Sequence, residues 1–384
     1  MKIVYITPSL YLAGGVERVL TTKMNYLAEC GGHDITIVLT DGEDKQPHFP
    51  LSPRVKVVNL NIGFERMWNQ PLWRKVWIYL LGQWSYRRKL RSALMEIGAD
   101  ITVSTLRREI NFLCDIPDGS RKVGELHVTR HHYRHFEPSE SNPFKRLIAS
   151  YWSRQLINQL KRLDRMVVLT PEEASRWPEV ARMEVIPNPL PFDMISLPQL
   201  DQKLFTEQHR VITVARYSTE KGIDLLMEAW SKVSSVHPDW TLDIYGSGDA
   251  APYEALAQSN GLRNIRFQGP SSDIRSRYLE HDFCILPSRF EGFGMTIIEA
   301  AACGLPTVAF ACDGPRSLIV EEQTGLLVPL EDTTALTQAI GRLMEQPDQR
   351  NRMAHQAWEA SKAYSLESVM QRWLRLFDSL MPQS

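Results

Sequence analysis

"KIVYIT" (residues 2–7), "VERVLTTKMNYLAEC" (16–30) and "HDITIVLT" (33–40) open the chain, and how they are read decides the fold. The first and third are short, β-branched and almost wholly apolar, the pattern of a strand covered on both faces. The second is longer and amphipathic, as a helix packed on a sheet must be. The rhythm continues through "RVKVVNL", "ADITVST", "KVGELHV", "DRMVVLT" and "MEVIPN". It then repeats through "RVITVARY", "WTLDIYG", "NIRFQG", "DFCILPS", "PTVAFAC" and "GLLVPL", with helical segments such as "GIDLLMEAWSKVSS" and "PYEALAQSN" between them. Strand–helix alternation in both halves predicts two doubly wound parallel sheets covered by helices, an α/β architecture.

Between the halves lies "IPNPLPFDMISLPQL", with prolines at 187, 189, 191 and 198. Proline withholds a backbone donor and resists helix interiors and central strands. The expected domains are therefore 1–190, a linker at 191–208, and a second domain at 209–365. A C-terminal helix at 366–384 carries Val369, Met370, Trp373, Leu374, Leu376 and Phe377 at near-helical spacing, and is expected to pack on one domain or bridge both.

The 384 residues suffice for two cores, and 43% hydrophobic with 23% charged residues is a globular composition. The strongly apolar stretch "VWIYLLGQW" (76–84) is too short to cross a bilayer. Thr7 and Pro8 interrupt the first apolar run, which reads as a buried strand and not a signal peptide. Cys30, Cys114, Cys284, Cys303 and Cys312 are an odd, scattered set, pointing to reduced thiols in a cytosol and away from a disulfide framework or a zinc site. Net charge is −1 but unevenly spread: residues 1–190 hold 27 Lys and Arg against 20 Asp and Glu, a balance of +7, and the rest is −8. A basic first half suits an anionic partner such as a membrane surface or a phosphorylated substrate.

Ligands of such sheets sit beyond the carboxyl ends of the strands, so the loops there carry the chemistry. In "SLYLAGGVER" (9–18), Gly14 and Gly15 precede a helix, where bare backbone can approach an anion. By itself this is also an ordinary turn. In "VARYSTEKGIDLL" (214–226), Arg216 and Lys221 stand at a strand end before a helix, two cations suited to a diphosphate. In "SRFEGFGMTIIEAAACG" (288–304), Glu291 lies in a glycine-rich loop, flanked by amides around Phe293, Gly294 and Met295. Glu299 falls on an otherwise apolar helix, where an unpaired carboxylate is costly. Carboxylates accept from sugar hydroxyls, so the two acids could hold the ribose and the hexose of a nucleotide-sugar. Gly246 and Gly248 in "DIYGSGD" fit a plain turn or room for a base equally well. His131, His132 and His135 follow His127 without a partner acid at metal-binding spacing, and read as a polar loop.

Together "GGVER", "VIPNP", "ARYSTEKG" and the E-x7-E stretch "EGFGMTIIE" resemble the glycosyl transferases group 1 family, in an order that runs from the first strand to "TGLLVP" (324–329). The resemblance implies a GT-B fold, two Rossmann-like domains facing across a cleft, and retaining transfer from a nucleotide-sugar, with a UDP-sugar as the expected donor. It implies that Glu299 accepts the ribose hydroxyls and that Glu291, with the amides of Phe293, Gly294 and Met295, meets the donor sugar. Arg216 and Lys221 would hold the diphosphate, and Gly15 would lend an amide from the other domain. "GELHV" (124–128) is similar to the family's strand-end histidine, which makes His127 a donor-pocket candidate; a satisfied core histidine is the other reading. "ARY" replaces the commoner Gly-Arg start, and "VIPNP" lacks the usual glycine after Asn188, which leaves that residue without an assigned role.

A strand-end Asp-x-Asp is missing, so the cations are expected to stabilise the departing diphosphate without a metal or other cofactor. The acceptor is expected on the first domain, as a glycan or lipid-linked glycan of surface polysaccharide or lipopolysaccharide assembly. Residues 64–91 hold Trp68, Trp73, Trp77 and Trp84 with Arg66, Arg74, Lys75, Arg87, Arg88, Lys89 and Arg91, and only Glu65 against them. That mixture suits an anionic lipid surface, and also an amphipathic core helix with a solvated basic face. The expected location is cytoplasmic, at the inner face of the cytoplasmic membrane. A nucleotide-sugar epimerase of the same plan and a non-catalytic nucleotide-sugar sensor are the rivals. The acidic second half and missing recognition motifs argue against nucleic acid.

Overall fold

The structure, a computed structural model, describes residues 1–42, 44–67, 71–133 and 143–382. Trp68 and His135 lie outside the described residues, as do the side chains of Arg66, Trp73, Lys75 and His132.

The chain divides into two compact units, Met1–Pro189 with Val369–Ser384, and Leu190–Ser368. The first unit runs β1 (Lys2–Thr7), α1 (Gly15–Glu29), β2 (Asp34–Leu39), β3 (Lys56–Asn59), α2 (Leu72–Ile97), β4 (Ile101–Ser104), β5 (Arg121–Glu125), α3 (Pro143–Lys161), β6 (Arg165–Val168), α4 (Pro171–Ser175) and β7 (Met183–Val185). Its seven strands lie in the order β3-β2-β1-β4-β5-β6-β7, all parallel. The second unit runs α5 (Leu197–Leu204), β8 (Arg210–Val214), α6 (Ile223–Val236), β9 (Thr241–Tyr245), α7 (Ala251–Ser259), β10 (Ile265–Gln268), α8 (Ile274–Leu279), β11 (Phe283–Leu286), α9 (Met295–Ala302), β12 (Thr307–Phe310), α10 (Asp313–Leu318), β13 (Gly325–Val328), α11 (Thr333–Glu345) and α12 (Pro347–Ser361). Its six strands, also parallel, follow the order β10-β9-β8-β11-β12-β13.

Each sheet thus begins in its own middle and winds first one way, then the other. The reversal opens a crevice between the first and fourth strands of each unit, β1/β4 and β8/β11, where adjacent chain leaves in opposite directions. Burial on both faces explains the unbroken apolar strands: Ile3, Val4, Tyr5 and Ile6 of β1, and Phe283, Cys284 and Ile285 of β11, are 0% exposed. One face of the second sheet packs on Leu226, Met227 and Trp230 of α6 and Leu336 and Ile340 of α11.

The segment expected to be a linker, 191–208, contains α5 and lies in the second unit. Ser196 and Gln199 form a capping box, and Pro198 falls in the first turn, where its missing N–H costs nothing. Its prolines therefore start a helix as well as delimit a domain. The last helix, α13 (Leu366–Leu380), enters the first unit at Val369, and its buried stripe is Val369, Met370, Trp373, Leu376, Phe377 and Leu380.

Candidate functional site

Two loops flank the β8/β11 crevice of the second unit. β8 ends at Val214 and leads through Arg216 into a short 3-10 turn, Thr219–Lys221, before α6. Gly222 joins turn to helix in the left-handed region, φ +65°, and a Cβ there would lie 1.9 Å from the Pro287 carbonyl oxygen, just past β11. Glycine thus lets the Lys221 loop close onto the neighbouring strand end. On the other side Gly246, after β9, has no room for a side chain: a Cβ would sit 1.8 Å from the Ala215 carbonyl oxygen. Its structural duty is this close approach between adjacent strand ends.

The loop after β11 is laced to the loop after β8. Arg289 N–H donates to the Glu220 carbonyl at 2.9 Å, and its guanidinium reaches the Thr219 carbonyl at 2.7 Å and both Asp224 oxygens at 2.8 and 2.6 Å. That hydrogen bonding holds the Asp224 carboxyl below the usual carboxylate range. With the loops braced, Lys221 Nζ meets Glu291 Oε2 at 2.5 Å, side chains 16% and 19% exposed. One of the three ammonium donors is engaged there, and the others can serve an anion. Arg216 is 63% exposed and pairs with Glu220 at 2.7 Å, so it stands at the rim of this loop pair.

Gly294 (φ +100°) turns the chain into α9, whose first residue is Met295, and Thr296 Oγ1 donates to the Val214 carbonyl at 3.1 Å. The helix start, with its unpaired amides, is thereby tied to the end of β8. Glu299 faces inward, 4% exposed, and accepts from Tyr278 Oη at 3.2 Å. Burial first, then the Glu299 charge, pushes the Tyr278 hydroxyl well above its ordinary pKa, so it remains a proton donor to that carboxylate. Phe293 is buried, edge-on to Tyr364 with ring centroids 6.1 Å apart. Lys221 and Glu291 are thus in direct contact, while Arg216 pairs with Glu220 in the loop after β8 and Glu299, inside α9, pairs with Tyr278 of α8.

In the first unit, Gly14 caps α1 and Gly15 is its first residue, after β1 and hence at the β1/β4 crevice. Nothing lies within 4 Å of where a Gly15 Cβ would be, so the side-chain direction there is open. His127 follows β5 by two residues, and its side chain is 4% exposed. Its Nε2 lies 3.3 Å from Glu125 Oε1, out of line for a hydrogen bond, and neither ring nitrogen has a hydrogen-bond partner among the described residues. The ring is buried beside the Glu125 carboxylate, which Lys23 also engages. Glu125 takes Lys23 Nζ at 2.5 and 2.6 Å, with both side chains buried. Burial would raise the Glu125 carboxyl, but Lys23 and His127 outweigh it and bring it down to about 2. Sequence reading missed this pair. The available signal was a lysine at position 23 on the apolar face of α1, among Val19, Leu20, Met24 and Leu27.

Among the described residues no group of three or more His, Cys, Asp or Glu side chains could hold a metal ion. His131 is exposed on a short 3-10 turn, Arg130–His132. Among those residues, too, no helix is long and apolar enough to cross a membrane.

Comparison with known proteins agrees with this layout. Residues 199–359 match the model of the family described as Glycosyl transferases group 1. A protein of Haemophilus influenzae named an uncharacterized glycosyltransferase is 23% identical over 97% of this chain and 98% of its own length. Of two further curated relatives only 41% and 43% of the length is covered. Among solved structures, a point mutant of S. aureus TarM in complex with fondaparinux, α-GlcNAc-glycerol and UDP has TM-score 0.76 at 15% identity, covering 98% of this chain and 99% of that one. Anabaena HepE in complex with UDP-glucose has TM-score 0.71 at 20% identity, covering 99% and 100%. The loops after β8 and β11, with Lys221, Glu291 and Glu299, fall inside the matched family segment, and both units fall inside the matched fold. The second unit thus resembles the glycosyl transferases group 1 family over residues 199–359, and the chain has the GT-B fold.

Proposed function

We propose that this protein is a retaining, metal-independent glycosyltransferase that moves a hexose-type sugar from a UDP-sugar to a glycan or lipid-linked glycan acceptor in surface polysaccharide or lipopolysaccharide assembly. The observation that carries the reading is the Lys221–Glu291 contact at the β8/β11 crevice. It sets a cation for the diphosphate beside a carboxylate for the sugar, at the place where such sheets bind ligands. The UDP and UDP-glucose bound by TarM and HepE, and the α-GlcNAc-glycerol bound by TarM, support the donor and acceptor classes.

In this reading Glu299 accepts the ribose hydroxyls. Arg216, Lys221 and the amide of Gly15 hold the phosphates, and the amides of Phe293, Gly294 and Met295 assist at the donor sugar. Glu291 and His127 hold hydroxyls of the sugar, and Gly246 lets the loops after β8 and β9 close up beside the site. The bond between the sugar's anomeric carbon and the β-phosphate oxygen breaks, and its electron pair leaves with the diphosphate. Charge grows on that oxygen and on an oxocarbenium-like sugar. Lys221 and the helix-start amides face the first, and so lower the barrier by preorganised electrostatics. The acceptor oxygen bonds to the anomeric carbon on the face the phosphate leaves, and its proton passes to the departing phosphate.

On the first unit, Trp77, Leu80, Leu81 and Trp84 of α2 are 62, 55, 65 and 66% exposed, spaced i, i+3, i+4, i+7. Exposed Arg88 and Arg91 lie further along the same helix, and Arg88 stacks over Trp84 at 5.8 Å. An apolar stripe beside cations supports docking on an anionic lipid surface, where a lipid-linked acceptor would be met.

The test is a thermal-shift panel of nucleoside diphosphates and nucleotide-sugars with and without chelator, followed by a transfer assay with the stabilising donor. Stabilisation by a UDP-sugar that chelator leaves intact, and product that depends on acceptor, is the expected result. Conversion of donor without acceptor would establish the epimerase instead. Binding with neither reaction would establish the sensor.

A further inference from the structure

Lys23, Glu125, His127 and Trp373 form a buried cluster inside the first unit. Lys23 Nζ is held by both Glu125 oxygens and stands 3.9 Å over the Trp373 ring, with the Tyr5 ring at 5.6 Å. Glu125, 1% exposed, then presents Oε1 to His127 Nε2 at 3.3 Å. Stability does not account for such an arrangement, because a buried ion pair seldom outperforms apolar residues of the same volume. The pair does secure an ionised carboxylate beside one ring nitrogen, where low dielectric makes its field strong.

We propose that Lys23 and Glu125 are positioning residues that hold His127 with its proton on Nε2, leaving Nδ1 to accept a hydrogen bond from a donor-sugar hydroxyl. A neutral imidazole has one N–H and one acceptor nitrogen. A lone pair on Nε2 would face the carboxylate and be repelled; a proton there is attracted. Lys23 keeps Glu125 ionised, and Trp373 gives the ammonium an aromatic face. Both ring nitrogens are buried and without a hydrogen-bond partner among the described residues; in this assignment Nε2–H is oriented by charge, and Nδ1 is the acceptor left for the sugar. The idea rests on His127 serving the donor pocket, but the tautomer can be read without any substrate.

The experiment is nitrogen-15 NMR of histidine-labelled full-length protein at alkaline pH, with His127→Asn to assign the signal. Wild type is expected to show a protonated-type Nε2 and a pyridine-type Nδ1. Lys23→Met with Glu125→Leu removes both charges at similar volume, and is expected to shift the signals toward the Nδ1–H form. Glu125→Asp keeps every charge but withdraws the carboxylate by one methylene; it reads the same shift in part if the double variant fails to fold. In transfer assays kcat/KM for the donor should fall by about tenfold or more in the double variant, and no further when His127→Asn is already present. An unchanged Nε2–H form in whichever of these variants folds overturns the proposal, as do rate losses that add independently of His127. If no sugar transfer is found with any donor, the function above fails, while the tautomer result still stands or falls by itself.

Discussion

Lys221 and Glu291 test the chemistry at the residue scale. Lys221→Ala should lower kcat on the order of 10²–10³-fold, measured by steady-state transfer at saturating donor, as expected when one preorganised donor to a developing anion is removed. Lys221 adjoins Gly222 in a tightly packed loop, so the variant's melting curve should accompany the assay to separate lost catalysis from lost folding. Glu125 gives a pH prediction. Its folded pKa of about 2 lies below the ordinary 4.5 because Lys23 and His127 overcome the cost of burial. A depressed carboxyl stabilises the fold fully above its unfolded pKa, and the contribution is lost as pH falls through the folded value. The stability difference between wild type and Glu125→Gln in urea titrations should therefore be constant near neutrality and shrink from about pH 4.5 downward; a difference that holds constant to about pH 3 contradicts the ion-pair account.

At the scale of elements, the site is a pair of strand–loop–helix units made to converge. β8 and β11 are neighbours only because the sheet reverses direction there, and Gly222 and Gly246 let their loops and the loop after β9 approach to contact. Gly222→Ala and Gly246→Ala each push a methyl into a backbone carbonyl. Each should cost about 1–3 kcal/mol, read as a lower urea midpoint with an unchanged slope. Both should also weaken donor binding, since Lys221 moves with its loop. The strands and long helices were legible from apolar runs and helical spacing alone. The helix α5 was not, because four prolines in fifteen residues signal interruption more loudly than the Ser196–Gln199 capping box signals a helix start.

On the scale of the whole molecule, the uneven charge finds a concrete carrier in α2. The structure also revises which cations are available: Lys89 Nζ donates to the Leu60 carbonyl at 2.6 Å, and Arg87 pairs with Asp115 at 3.5 Å. Reversing those two would disturb the fold, so the informative variants are Arg88→Glu with Arg91→Glu, and Trp77→Ser with Trp84→Ser. Each pair should reduce sedimentation with anionic vesicles several-fold while leaving binding of soluble nucleotide-sugar intact. Equal sedimentation of wild type and both pairs would remove the membrane surface from the proposed function.

Local pattern determined a great deal here. Strands buried on two faces must be apolar throughout, helices packed on them must be amphipathic, and a sugar-nucleotide site needs acids, cations and glycines at strand ends. All three requirements can be read along one dimension, and Arg216, Lys221, Glu291 and Glu299 were named as candidates that way. Which of these touch was decided only in three dimensions: Lys221 took Glu291, Arg216 took Glu220, and Glu299 took Tyr278. The Lys23–Glu125–His127 cluster with Trp373 was beyond sequence reading for the same reason. Its members come from a helix, a strand, a loop and the far end of the chain, and no periodicity links them; only the folding of α13 against the first unit brings an indole over a buried ammonium.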